Sequence, residues 1–205
     1  MRLIDCYIPV FKQIIHITGN QATFENYNDC RQHCITVLNH AIHMAGELDV
    51  SEDEKEAART AVIAWIDETI LCSTLPWRQH WQVELLQRKY LNINVAGEHF
   101  FTQLSRLSPT HDQARTVFLF CLQQGFCGQY SRPDDQPALL EVIAQQRKLC
   151  LPDDWLNWPN EATITPDTPA LPEHRSIRRR PLLTLSVAIV LLYGSLYLFL
   201  HHYVS

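Results

Sequence analysis

Apolar residues recur at three- and four-residue steps in the first half of the chain, a spacing that puts them on one face of an α-helix. Residues 3–17 carry the repeat Leu3, Cys6, Tyr7, Val10, Phe11, Ile14 and Ile15. Residues 24–48 carry the repeat Tyr27, Cys30, Cys34, Val37, Leu38, Ala41, Ile42 and Ala45. Two amphipathic helices are therefore predicted, with these faces directed into a core.

A third helix start is marked by Ser51-Glu52-Asp53-Glu54, which has the form of a capping box. We expect the Ser51 hydroxyl to accept an amide proton of the first turn and Glu54 to reach back. The acidic residues are also favoured there by the helix dipole. The helix should continue through Trp65 to about Leu71.

The first 150 residues are predicted to be all-α, with about seven helices. Four shorter helices are expected over residues 79–90, 96–107, 111–124 and 137–149. The breaks between them coincide with Asn92-Ile93-Asn94 and with Gly125 and Gly128, residue types that end helices. Strand signals are nearly absent, since there is no alternating run of β-branched residues and no Asn-Gly or Asp-Gly turn.

Residues 182–200 form a stretch of nineteen residues without a charged side chain. As a helix rising about 1.5 Å per residue it would be about 28 Å long, close to the roughly 30 Å thickness of a bilayer core. The chain start carries Asp5 and Lys12 and does not read as a signal peptide. We therefore predict a tail-anchored protein with one C-terminal transmembrane helix.

Basic residues set the expected orientation of this helix. No Lys or Arg follows it, and four arginines precede it: Arg175, Arg178, Arg179 and Arg180. Because positive charge is retained on the cytoplasmic side of a membrane, the N-terminal domain is expected to be cytoplasmic.

Composition divides the chain into four predicted parts. These are a helical domain (1–150), a proline-rich linker ending in the basic cluster (151–180), the transmembrane helix (181–201) and a short tail (202–205). Trp155 and Trp158 in the linker are interpreted as contacts either with the helical domain or with the lipid interface.

Residues 1–174 and the C-terminal segment that follows them differ in the sign of their formal charge. Residues 1–174 hold 13 Lys and Arg against 22 Asp and Glu, a formal charge of −9. Such a domain lacks the basic surface that nucleic acids require, so no nucleic-acid partner is expected. Basic protein partners suit it better.

Sequence motifs of enzymes are not found: there is no Walker loop, GxGxxG, GxSxG or HExxH. Asp67 and Glu68 are adjacent on a predicted helix, so their side chains point about 100° apart and cannot converge on one substrate atom. A solvated face or a contact surface for a partner is expected there instead. We predict a non-catalytic protein without a cofactor.

The alternative chemistry is a metal site. Cysteines and histidines cluster in the second helix, at Cys30, His33, Cys34, His40 and His43. Structural zinc sites usually take ligands from turns in separate elements, so this spacing favours a cysteine-lined core face with exposed histidines. A membrane-tethered metal-binding enzyme or sensor is the second hypothesis, and a tail-anchored regulator that acts alone is the third.

Four ordered blocks of the sequence resemble the TssL (DotU, IcmH) family. They are AWIDETIL at 64–71, LLQRKYLN at 85–92, AGEHFF at 96–101 and CLQQGFCGQYS at 121–131. Together with the late apolar span, the match extends over roughly residues 1–200.

The resemblance implies a structural component of the inner-membrane complex of a bacterial type VI secretion system, or of the related type IVB system. Members of the family are similar in forming a hook of two small helical bundles and in self-associating. The implied partners are the TssM (IcmF-like) membrane protein, through it the TssJ outer-membrane lipoprotein, and the baseplate protein TssK.

The resemblance also implies site residues. The acidic pair of the first block, Asp67 and Glu68, is expected beside a cleft that contacts partners. Glu98, Gln129 and Tyr130 are secondary candidates from the other blocks. Many relatives carry a peptidoglycan-binding domain after the span, whereas this sequence stops five residues past it, so cell-wall anchoring is expected from another subunit.

Overall fold

The protein is described here by a computed structural model, which covers residues 1–19 and 26–152. No helix in these ranges is long and apolar enough to cross a membrane. The predicted span at 182–200, the four arginines before it and the two linker tryptophans lie outside the described residues.

The regular elements of the described residues are all helical, and these residues contain no strand, as predicted. Seven α-helices follow one another along them: α1 (Leu3–Gly19), α2 (Tyr27–Gly46), α3 (Glu52–Cys72), α4 (Arg78–Val83), α5 (Ala96–Arg106), α6 (Asp112–Gln123) and α7 (Gln136–Cys150). A π-helical turn (Gln87–Leu91) lies between α4 and α5, and 3-10 turns (Gly128–Tyr130 and Pro133–Asp135) lie between α6 and α7.

Helix α3 is the centre of the domain. It contacts α1, α2, α4, α5, α6 and the π-helical turn, and it is buried on nearly all sides between Ala57 and Asp67. Small residues such as Ala58 and Ala61 let its neighbours pack closely, and the Phe11 ring meets the Trp65 ring edge-on at 4.7 Å. Because the buried side chains of all seven helices form one connected core, the implied pair of bundles does not correspond to two separate cores.

Most of the predicted apolar face of α1 is buried, with one exception. Ile15 is 47% exposed, and Ile17 is fully buried in its place. Val10, Ile14 and Ile17 follow the 3.6-residue period of a straight helix more closely than Ile15 does, which accounts for the difference. In α2 the cysteines face the core as predicted, together with Ile35, which the pattern did not include.

The capping box at the start of α3 is confirmed and does more than expected. The Glu54 amide donates to Ser51 Oγ at 3.3 Å, and Ser51 Oγ donates to Glu54 Oε2 at 3.3 Å. The other carboxylate oxygen accepts from the amides of Gln113 and Ala114 at 3.1 and 3.3 Å. Glu54 therefore also caps the first turn of α6, whose own N-cap residue, His111, makes no side-chain capping bond.

The helix predicted over residues 79–90 is wrong as a single element. α4 ends at Val83, and Glu84 leaves helical geometry at φ −123° and ψ 51°. A new helical turn starts at Leu86 and widens into the π-helical turn, which Asn92 ends in the left-handed conformation at φ 53°. The predicted break at Asn92-Ile93-Asn94 is confirmed.

Two glycines allow α5 to touch the turn after α6. A Cβ atom on Gly97 would lie 3.1 Å from Gly128 Cα, and one on Gly128 would lie 2.9 Å from both the Gly97 carbonyl oxygen and Phe101 Cε2. Gly128 also has φ +51°, a conformation that L side chains avoid. The Tyr130 ring completes this contact by meeting the Phe101 ring edge-on at 4.7 Å.

Replacing Gly128 by alanine should lower the free energy of unfolding by about 2 kcal/mol or more, because the methyl group meets backbone and ring atoms and the backbone is left-handed. Denaturant unfolding followed by circular dichroism measures this. Gly46→Ala is the matched control, since nothing lies within 4 Å of its Cβ position, and it should be neutral or slightly stabilising. Equal stability of the two variants would contradict the close contact.

Candidate functional site

Asp67 and Glu68, the candidate pair from the sequence, serve two different turns of the structure. Asp67 Oδ1 accepts from Trp81 Nε1 at 2.8 Å and from the Leu86 amide at 3.0 Å, and Oδ2 accepts from the Gln87 amide at 2.9 Å. The amides of Leu86 and Gln87 lie at the start of the helical turn after α4. The N-cap residue of that turn, Leu86, makes no side-chain capping bond. Asp67 therefore holds that turn against α3.

Asp67 is deeply buried, with 3% of its surface exposed. Burial raises the pKa of its carboxyl group, while the amide bonds, the Trp81 bond and the charge of Arg31 act in the opposite direction. The Arg31 guanidinium lies over the Trp81 ring, 4.8 Å from its centroid. The expectation of a solvated face is thus wrong for Asp67, and a charge reversal there would remove a structural contact.

Glu68 points to the other side and is half-buried. Its Oε1 accepts from the Cys127 amide at 2.6 Å and its Oε2 from the Gly128 amide at 2.9 Å. Burial raises the pKa of this carboxyl group, and the two amide bonds oppose that rise. Glu68 therefore fixes the turn after α6, the one that packs against Gly97.

A cavity of about 710 Å³ opens beside Glu68. We call it the Glu68 cleft; it lies between the C-terminal end of α3 and the turn after α6. Its walls include one carboxylate, several hydroxyls and two thiols, from Glu68, Thr69, Cys72, Ser73, Cys127 and Ser131. Asp67 is not among the residues that line it. Of the candidate pair, only Glu68 therefore lines this cleft.

The secondary candidates lie elsewhere. Gln129 and Tyr130 line a separate cavity of about 380 Å³ between α5 and α7. Glu98 is exposed in the first turn of α5 and lines neither cavity. The structure therefore does not bring Glu98, Gln129 and the acidic pair together into one site.

Gln87 is a further capping residue, and the sequence patterns above did not predict this role. Its Oε1 accepts from the Ala96 amide at 2.9 Å, and its Nε2 donates to the Asn94 carbonyl oxygen at 3.0 Å. It thereby caps α5, whose N-cap residue, Val95, cannot. The available signal was indirect: a helix start preceded by Val95 needs an acceptor from elsewhere in the chain.

The residues of the metal hypothesis do not converge. Cys30 and Cys34 are buried in the core, whereas His33, His40 and His43 are exposed on the outer face of α2. In the described part of the chain no three His, Cys, Asp or Glu residues are grouped so that they could hold a metal ion.

The described residues form an all-helical domain in which carboxylates of α3 hold the neighbouring turns in place beside an open cleft. The chain belongs to the family described as type VI secretion system protein DotU, whose family model matches residues 2–203. It is thus a component of a type VI secretion system, and the family resemblance seen in the sequence is confirmed. No curated protein matches the chain.

One solved structure supports the same assignment. The chain is similar to the cytoplasmic domain of TssL from Acinetobacter baumannii, with a TM-score of 0.63 and 28% sequence identity. The similarity covers 76% of this chain and 99% of that one. The all-α architecture is therefore the architecture of that domain.

Removing the Asp67 carboxylate should destabilise the domain strongly. Asp67→Ala leaves three donors without their acceptor, which should cost about 3–5 kcal/mol of unfolding free energy. Glu68→Ala affects two amides at a half-buried position and should cost about 1–3 kcal/mol. Urea unfolding measures both.

Glu98→Ala is the control for this pair, because it removes an exposed carboxylate and should change stability by no more than about 0.5 kcal/mol. Hydrogen exchange adds a local readout. Asp67→Ala should speed exchange at Leu86 and Gln87, and Glu68→Ala at Cys127 and Gly128. An Asp67 variant as stable as the Glu98 variant would refute the structural role.

Proposed function

We propose that this protein is a single-pass inner-membrane component of a bacterial type VI secretion system, with its helical domain in the cytoplasm. In this proposal the domain links a TssM-like membrane protein, and through it the TssJ outer-membrane lipoprotein, to the baseplate protein TssK. The protein acts as a scaffold that self-associates and not as an enzyme.

The observation that carries the proposal is the convergence of the family blocks on α3. Asp67 and Glu68, from the first block, bind amides of the second and fourth blocks. Gln87, from the second block, binds the Ala96 amide of the third. The blocks on which the family resemblance rests therefore form one contact network, and its Glu68 branch holds the turn that forms one wall of the Glu68 cleft.

A scaffold role also fits the physical character of the domain. A rigid cleft binds a partner with little loss of its own conformational freedom. The acidic charge of the body and the Glu68 carboxylate favour a basic side chain of the partner in the cleft. Glu68 accepts one amide at each oxygen, and each oxygen retains acceptor capacity for such a side chain.

Filling the cleft should separate the protein from its partners. In Thr69→Arg and Ser131→Arg variants, a cationic side chain occupies the cleft next to Glu68 and excludes a basic partner group. We expect the amount of TssM-like protein or TssK that co-purifies with the full-length chain to fall by about tenfold. The comparison is made from cells that express the whole system.

Gln82→Arg is the matched control, because it adds the same single positive charge at an exposed position of α4 that does not line the cleft. Circular dichroism must show that all variants keep the wild-type helix content. If both partners co-purify unchanged with the cleft variants, the cleft is not the contact surface.

The membrane part of the proposal is carried by the uncharged stretch at 182–200 and the arginines before it. The full-length protein should remain in the membrane pellet after alkaline carbonate extraction, because a spanning helix is released only by detergent. A variant that ends at residue 174 should appear in the soluble fraction. Release of the full-length protein by carbonate would contradict a spanning helix.

A further inference from the structure

A second groove lies between α2 and the turn that follows α4. It has a volume of about 760 Å³. Three cationic side chains line it: Arg31 from α2, and Arg88 and Lys89 from the π-helical turn. We call it the basic groove.

Two of these cations have no anionic partner among the described residues. The Arg31 side chain is only 11% exposed and is already bound to Glu84, with Nε 3.0 Å from Glu84 Oε2 and Nη2 donating to the Glu84 carbonyl oxygen at 2.5 Å. Arg88 and Lys89 are exposed and form no ion pair with any described residue; Lys89 Nζ lies 5.7 Å from the centre of the Tyr90 ring. Both can therefore bind an anionic group from outside the domain.

The two acidic residues of the groove form no ion pair with Arg88 or Lys89. Glu84 Oε2 is bound by Arg31 Nε at 3.0 Å and by the Tyr27 hydroxyl at 3.3 Å. Asp29 Oδ2 accepts from Asn26 Nδ2 at 2.8 Å, at the start of α2. Asp29 keeps its negative charge, because Asn26 is neutral, so the groove holds three cations against two carboxylates and is net positive in a domain whose net charge is negative.

The floor of the groove is apolar. Ile35 and Leu85 are each 8% exposed there, and Val83 at the rim is 71% exposed. A lone phosphate ion would use neither the apolar floor nor most of the volume. A peptide segment that presents a carboxylate next to an aliphatic side chain would use both.

We propose that the basic groove binds an acidic, partly apolar segment of a partner protein, with a carboxylate held by Arg88 and Lys89. The partner class is therefore opposite in charge to the one proposed for the Glu68 cleft. The inference does not depend on the proposed function of that cleft, because it uses different residues and a different ligand.

The full-length protein in detergent can be tested with a short fluorescent peptide in which glutamate alternates with leucine. Anisotropy should show saturable binding that weakens as salt is raised, because the exposed cations are screened. Arg88→Glu combined with Lys89→Glu should weaken binding by about tenfold or more. A photoreactive residue at position 83 should cross-link to the peptide, and one at Ile15 should not.

The matched control combines Lys12→Glu with Arg106→Glu, which changes the net charge equally at two exposed positions outside the groove. It should bind the peptide like the wild type. Equal weakening in both double variants, absence of saturable binding, or equal binding of a peptide with lysine in place of glutamate would overturn the proposal. Binding of inorganic tripolyphosphate but not of the acidic peptide would overturn it as well, in favour of a phosphate site.

Discussion

The domain depends on one requirement: every backbone amide at the start of a buried helical turn needs an acceptor. Four such starts follow Leu86, Val95, His111 and Cys127, and none of these residues caps its own turn. The acceptors come from side chains distant in sequence. Glu54, Asp67 and Glu68 on α3 cap three of the turns, and Gln87, itself fixed by Asp67, caps the fourth. Helix α3 thus sets the positions of α5, α6 and the turns between them, in addition to forming the centre of the core.

Remote capping explains which parts of the fold the sequence predicted. Helices α1, α2 and α3 were predicted well because their signals are local, namely the apolar repeat and the Ser51 capping box. The region after α4 was predicted wrongly because residues 79–90 contain no Gly or Pro that would mark the interruption of a helix. What interrupts it is the buried Asp67 carboxylate, which takes the amides of Leu86 and Gln87. No sequence pattern within residues 79–90 indicates an acceptor that lies nearly twenty residues earlier in the chain.

The candidate site shows the same division between local and remote information. The resemblance selected Asp67 and Glu68, and the helix period correctly indicated that the two side chains diverge. The period alone could not say that Asp67 points into the core, because α3 is apolar on almost all sides and its inward face has no distinct sequence pattern. The turn that Glu68 binds had a local signal, since Gly125 and Gly128 predicted the end of the preceding helix. The basic groove was not predicted, because Arg31 and Lys89 are brought together only when the π-helical turn (Gln87–Leu91) packs beside α2.

Two neighbouring carboxylates on one rigid helix therefore support two different surfaces. Asp67 positions the turn that carries Arg88 and Lys89, and Glu68 positions the turn that forms one wall of the Glu68 cleft. Since both turns are attached to the same part of α3, a distortion of that helix would alter the basic groove and the Glu68 cleft together. For the same reason, a defect caused by changing Asp67 does not by itself identify a contact with a partner, because the change removes the support of a surface as well as a charge. Substitutions that leave both carboxylates in place and alter only the exposed lining residues separate binding from folding.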